Sequence, residues 1–146
     1  MPVLISNRQT SHRLPVRKIA KTAQDVLNAS GSPDAELSLL ITDDDEITRY
    51  NQQYLGRKGP TNVIAFPMTE GDFAGITPGL LGDVVISADT AFREAREMGI
   101  TLKERFTQLL IHGILHLQGY DHEVSERQAR EMDRKAEELT KTIDPL

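Results

Sequence analysis

His112, His116 and His122 stand in one stretch, His112-Gly113-Ile114-Leu115-His116-Leu117-Gln118-Gly119-Tyr120-Asp121-His122, of a chain with only 4 histidines. Histidines four apart project from one face of a helix, so His112 and His116 become neighbours if the stretch is helical. Gly119 is placed to end that helix in a left-handed conformation, and the turn that follows brings His122 back toward the other two. Three neutral imidazoles that converge and leave a fourth position open are the ligand set of a catalytic zinc, whose bound water ionises near neutral pH. The spacing is that of the His-Glu-x-x-His-x-x-Gly-x-x-His motif of zinc proteases with one omission: Gly113 stands where those enzymes carry their glutamate base. A peptidase without its base forfeits roughly 10²–10⁴-fold in rate. In RNA the 2′-hydroxyl can serve as nucleophile, and a metal with a nearby cation can stabilise the phosphorane charge. The missing glutamate therefore turns the reading away from proteolysis. A purely structural zinc would need a fourth protein ligand, and Asp121 is the obvious nearby candidate. The same carboxylate could instead orient a ligand imidazole.

The elements that must position these residues can be read from pattern. Val3–Ser6 reads as a short strand, and Pro15 can open a helix in which Val16, Ile19, Ala20, Ala23 and Leu27 recur at helical spacing up to Gly31. Glu36–Ile41 is mostly apolar, as a buried strand would be. Thr42-Asp43-Asp44-Asp45 looks like a helix start, and that helix should run to about Tyr54 and stop at Gly56. Asn62–Phe66 and Leu81–Ser87 are strand-like, and Glu70–Gly79 between them reads as a flexible loop. Ser87 or Asp89 caps a helix that ends at Gly99. Thr101 and Glu104 form a capping box for the helix that carries the histidines, with Phe106, Leu109, Leu110, Gly113 and Leu117 on one face and His112 and His116 on an adjoining one. Ser125 and Gln128 start a last helix with an apolar stripe of Ala129, Met132, Ala136 and Leu139. The order β-α-β-α-β-β-α-α-α puts strands early and helices late. It predicts an α+β fold, a small mixed sheet packed with about five helices, in one domain over residues 1–146.

Composition sets the outer bounds. With no cysteine, a disulfide framework and a thiolate metal site are both excluded, so any metal must rest on His, Asp or Glu. The longest apolar stretch near the N-terminus, Val3-Leu4-Ile5, is too short for a signal peptide or a membrane span, and a cytoplasmic setting with no membrane partner is the expectation. The net charge of −5 argues against strong non-specific binding to nucleic acid. Charge is unevenly placed, however. Arg8, Arg13, Arg17, Lys18 and Lys21 face one early acid, Asp25, while residues 43–46 are an acidic block and Arg57 and Lys58 flank a glycine-rich turn. Local basic surface is therefore compatible with an acidic protein, although such clusters are more often solvated faces.

The histidine run resembles the signature of the bacterial YbeY endoribonucleases, and two further segments agree. Tyr54-Leu-Gly-Arg-Lys-Gly-Pro-Thr-Asn-Val-Ile-Ala-Phe66 is similar to that family's central segment, and Leu81-Gly-Asp-Val-Val-Ile-Ser87 to its strand motif. The match covers most of residues 36–140. The resemblance implies a single-strand-specific endoribonuclease with one Zn²⁺ per chain, held by His112, His116 and His122. It implies a role in maturation of the 16S rRNA 3′ end and in late ribosome quality control, with the small ribosomal subunit and its assembly factors as partners, and an α+β fold with a central mixed sheet. One departure matters: the family commonly carries an arginine after the tyrosine matching Tyr54, and here that place is Leu55. Arg57, two residues on, is the candidate to supply the charge, with Asp121 as the other candidate catalytic side chain. Lys58, Asn62 and Tyr120 are candidates for binding substrate. Tyr54 is a further base-stacking candidate, Phe66 reads as core and Asp83 as a turn residue. Two alternatives stand beside the nuclease: a zinc-stabilised ribosome assembly factor without catalysis, and a metallopeptidase.

Overall fold

A computed structural model describes residues 3–68, 80–120 and 125–146. The described elements follow the order β1 (Val3–Asn7), α1 (Val16–Ala29), β2 (Glu36–Thr42), α2 (Asp44–Leu55), β3 (Val63–Pro67), β4 (Leu80–Ser87), α3 (Ala88–Met98), α4 (Leu102–Leu117) and α5 (Glu126–Thr142). The expected sequence of strands and helices is thus the observed one, with ends shifted by a residue or so. The expected loop at 70–79 lies outside the described residues.

Four strands make one mixed sheet in the order β1-β2-β4-β3. β1 and β4 both run parallel to β2, while β3 runs antiparallel to β4 and is an edge strand. The parallel pairs need helical crossovers, and α1 and the α2–β3 segment supply them. Because strand side chains alternate, β4 serves both faces: Val84 and Ile86 enter the main core with α1 and α4, while Val85 points to a smaller cluster with Ile47 and Ile64. Asp83 is paired with Phe66 of β3 and Ser38 of β2, so it lies within β4 and not in a turn. A solitary Gly-Asp pair reads as a turn by propensity. Here the apolar run after it wins, because pairing on both sides makes β4 a central strand.

α4 is the spine of the main core. Phe106, Leu110, Ile111, Ile114 and Leu115 are wholly buried, and the helix packs against α1, α3, α5 and the β3–β4 half of the sheet. This is why its apolar surface is wider than one stripe. α5 closes the outside through Met132 and Leu139, with Ala129 and Ala136 only half-buried.

Candidate active site

The start and end of α4 are both fixed locally. Thr101 Oγ1 accepts from the Glu104 amide at 3.1 Å, and Glu104 Oε1 accepts from the Thr101 amide at 3.2 Å, the reciprocal capping box the sequence announced. At the other end Gly119 takes φ 99°, a region that an L side chain resists. Its amide donates to the His116 carbonyl and the Tyr120 amide to the Leu115 carbonyl, both at 3.1 Å, which is the double bond of a Schellman turn. α4 ends at Leu117, one residue past His116, and the turn falls at the glycine of the motif.

Between these ends, His112 and His116 are half-buried and their Nε2 atoms stand 3.0 Å apart, with ring centroids 4.6 Å apart. Two basic nitrogens that close need a shared proton or a cation between them. Two histidine nitrogens on one tetrahedral zinc stand roughly 3.3 Å apart, from bond lengths of ~2.0–2.1 Å. The pair therefore fits as two ligands of such an ion. Among the described residues no group of three or more potential metal ligands assembles. His122 and Asp121 lie outside the described residues.

Gly113 has a packing reason. A Cβ built on it would lie 2.7 Å from Val84 Cγ1, closer than real contacts come, and a tight 3.3 Å from Val63 Cγ2. The backbone of α4 rests directly on β3 and β4 at this point. A glutamate here would need Val84 to shift. The protease base is thus missing at a position where any side chain would push Val84 aside.

They open into a cavity of about 610 Å³. Its walls are Leu55 and Arg57 from the end of α2, residues 61–65 and Pro67 along β3, and His112, Gly113, His116, Gly119 and Tyr120. Three sequence candidates, Arg57, Asn62 and Tyr120, are therefore brought together with the histidine pair. Lys58 is exposed and is not among the lining residues. Arg57 is set by Gly56, which ends α2 at φ 65°, and its amide donates to the Asn51 carbonyl at 3.2 Å. Leu55, where the family arginine is expected, lines the same cavity. Asn62 is held rather than free to swing. Its Nδ2 donates to both Glu94 oxygens at 3.3 and 3.2 Å, its Oδ1 accepts from the Val63 amide at 2.7 Å, and Arg105 grips Glu94 in turn at 2.9 Å. Sequence reasoning missed Glu94 and Arg105, because nothing in their spacing ties α3 to β3. It also missed Thr61 and Ala65, which matter only once β3 is known to be an edge.

The other sheet face separates the remaining candidates from this cleft. Tyr54 is 58% exposed and meets Phe66 edge-on at 5.5 Å. Both line a second hollow of about 430 Å³ with Arg8, Tyr50 and Asp83. Phe66 is half-buried, packed on the smaller cluster rather than in the main core.

A mixed four-stranded sheet whose most buried helix presents paired histidines into a cleft along the edge strand is the α+β class that the motif implied. The family model described as Endoribonuclease YbeY matches residues 4–144, and the chain belongs to that family. Among its relatives, Endoribonuclease YbeY of Geobacter sulfurreducens is 53% identical over 140 residues, covering 95% of this chain and 93% of the relative. The protein of the same name from Syntrophotalea carbinolica is 54% identical over 136 residues, covering 92% and 91%. Among solved structures, the solution structure of TM1509 from Thermotoga maritima superposes with a TM-score of 0.68 at 26% identity, covering 94% of this chain and 86% of that one. Among the described residues no helix is long and apolar enough to cross a membrane.

Proposed function

We propose that the cleft between α4 and β3 is the active site of a zinc-dependent, single-strand-specific endoribonuclease that matures the 3′ end of 16S rRNA and acts late in ribosome quality control. Family membership makes the chain an endoribonuclease, a hydrolase of RNA phosphodiester bonds. Its zinc, its preference for single strands, its ribosomal partners and assembly factors, and a cytoplasmic setting belong to the proposal. The observation that carries the metal reading is the pair of Nε2 atoms 3.0 Å apart at a cavity wall.

His112, His116 and His122 would hold the ion. When bound, zinc supplies a Lewis acid for the phosphoryl oxygens and an acidified water. The chain's own groups do the rest. Arg57 places a permanent cation in the same cavity as the histidines, to meet the charge that builds on the phosphorane, and it takes the part of the arginine absent at Leu55. Tyr120 offers a ring face and a hydroxyl beside the pair, and Asn62, locked by Glu94, fixes the start of the edge strand. Asp121 would steer a ligand imidazole or a proton. Gly113 speaks against the peptidase, since it offers no base and a side chain there would press on Val84.

The test is cleavage of a single-stranded RNA by zinc-loaded protein, with His116→Ala purified in parallel. Cleavage by the wild type alone supports the reading. Cleavage by both marks a contaminating nuclease and removes that support. A fully folded, zinc-loaded protein that cleaves neither free RNA nor small-subunit particles would shift the weight to a non-catalytic assembly factor.

A further inference from the structure

We infer that Ala65, through its backbone N–H and C=O on the free edge of β3, pairs with the Watson–Crick edge of one unpaired nucleobase next to the scissile phosphate. The inference rests on the endoribonuclease reading of the same cleft and says how that cleft would recognise a single strand.

The phase of β3 decides which groups face out. The Ser87 amide donates to the Asn62 carbonyl at 3.0 Å, and the Met68 amide to the Leu81 carbonyl at 3.2 Å. In an antiparallel pair, alternate residues turn both backbone groups to the partner strand, so 62, 64, 66 and 68 face β4. Val63, Ala65 and Pro67 turn theirs the other way, along the edge where no further strand pairs among the described residues. All three line the cavity that holds His112 and His116.

These three positions are not equal. The Val63 N–H is taken by Asn62 Oδ1 at 2.7 Å, and Pro67 has no N–H. Of the described residues of β3, Ala65 therefore offers an outward donor and acceptor together. A peptide laid along the edge would need a ladder of such pairs, and here the ladder is one residue long. A nucleobase needs only one. Each of the four RNA bases carries an adjacent donor and acceptor on its Watson–Crick edge: N6–H and N1 of adenine, N1–H and O6 of guanine, N4–H and N3 of cytosine, N3–H and O4 of uracil. In a duplex those atoms are engaged, so this contact admits unpaired bases and rejects paired ones. Because every base can supply the pair, it distinguishes strandedness far more than sequence.

The experiment is fluorescence anisotropy of zinc-loaded protein with a short labelled 2′-O-methyl RNA, in which one abasic residue is moved along the chain. At one position the abasic substitution should weaken wild-type binding roughly tenfold, within the ~1–3 kcal/mol of a bidentate base contact. Swapping the base there for any other should change binding by less than about threefold, well under that contact. Ala65→Pro removes only the outward N–H, at an edge position where proline is tolerated and where Pro67 already stands in the same phase. It should bind the intact RNA roughly tenfold more weakly and lose nothing further at the sensitive abasic position, as coupled changes do. Ala65→Gly keeps both backbone groups and should bind as wild type does. A scan flat at every position overturns the inference, whether or not Ala65→Pro folds. So does a folded Ala65→Pro with wild-type affinity, or competition for the cleft by a strand-forming peptide. Failed RNA cleavage with the scan intact would count against the nuclease reading alone, and a flat scan with cleavage intact against this inference alone.

Discussion

His12 and His116 are both half-buried histidines, yet their surroundings differ in kind. His12 Nε2 lies 2.8 Å from Asp89 Oδ1, and its ring packs on Phe92 at 4.9 Å. Asp89 also accepts from the Asp44 amide at 3.0 Å, and Asp44 accepts from Ser87 and Thr90 hydroxyls and from Arg93 at 2.6 to 2.7 Å. Donors and acceptors there are matched, and the network ties the N-termini of α2 and α3 to the end of β4. His116 instead meets a second imidazole at 3.0 Å, beside an open cavity. Matched partners stabilise a fold. Two imidazoles brought together at a cavity wall suit a ligand. The comparison teaches which polar cluster holds the molecule together and which one works on something else.

Single substitutions should split the two clusters cleanly, and this is the largest effect expected. His116→Ala should abolish RNA cleavage while moving the urea midpoint little. Asp44→Ala should do the reverse. It strips three side-chain hydrogen bonds from one carboxylate, each ~1.5–3 kcal/mol when a charge is involved and not fully additive, so several kcal/mol of stability should go. Cleavage per folded molecule should persist. If Asp44→Ala kills cleavage in a protein that is still folded, the division between the clusters is wrong.

Next comes the cation of the cleft. Arg57→Ala should lower kcat by roughly 10²-fold, the scale of one group that stabilises transition-state charge. Lys58→Ala, one residue along but outside the lining, should stay within about twofold, as a rim charge does. Equal rates for Arg57→Ala and wild type would remove Arg57 from the mechanism.

A smaller effect should come from the floor of the cleft. Gly113→Ala forces a methyl to within 2.7 Å of Val84, and overpacking of this kind costs ~1–3 kcal/mol. Denaturant unfolding measures it. Pairing the change with Val84→Ala should recover part of the loss, whereas a purely additive pair would show that Val84 is not the obstacle.

The motif and the caps were legible because they are local. A helix boundary depends on residues three apart, so Thr101 with Glu104 and Gly99 and Gly119 could be read directly. The helical phase likewise put His112 and His116 on one face. What stayed hidden depends on contacts distant in sequence. Nothing near Gly113 says that Val84 will lie against it. Asp83 looks like a turn residue until β2 and β3 are known to pair on either side. Asn62 looks like a free amide until α3 brings Glu94 beside it. Arg57 and Tyr54 are three apart in sequence, yet they line different hollows.

The finest contrast between the clusters is their response to acid. Burial alone would raise the Asp44 carboxyl, but the hydrogen bonds from Thr90, Arg93 and Ser87 and the charge of Arg93 outweigh it and leave its pKa below the ordinary value. A group whose folded pKa is depressed stabilises the fold in full above its unfolded pKa, and that contribution is lost as pH falls through the folded value. Stability should therefore be flat in this respect above about pH 4 and fall below it, the ordinary Asp value marking the upper edge. Asp44→Asn should be less stable at neutral pH and should flatten the slope below pH 4, because the titrating group is gone while its shape remains. An Asp44→Asn protein whose acid limb is as steep as the wild type's would mean that other carboxylates dominate there, and that the Asp44 network owes its strength to neutral hydrogen bonding rather than to charge.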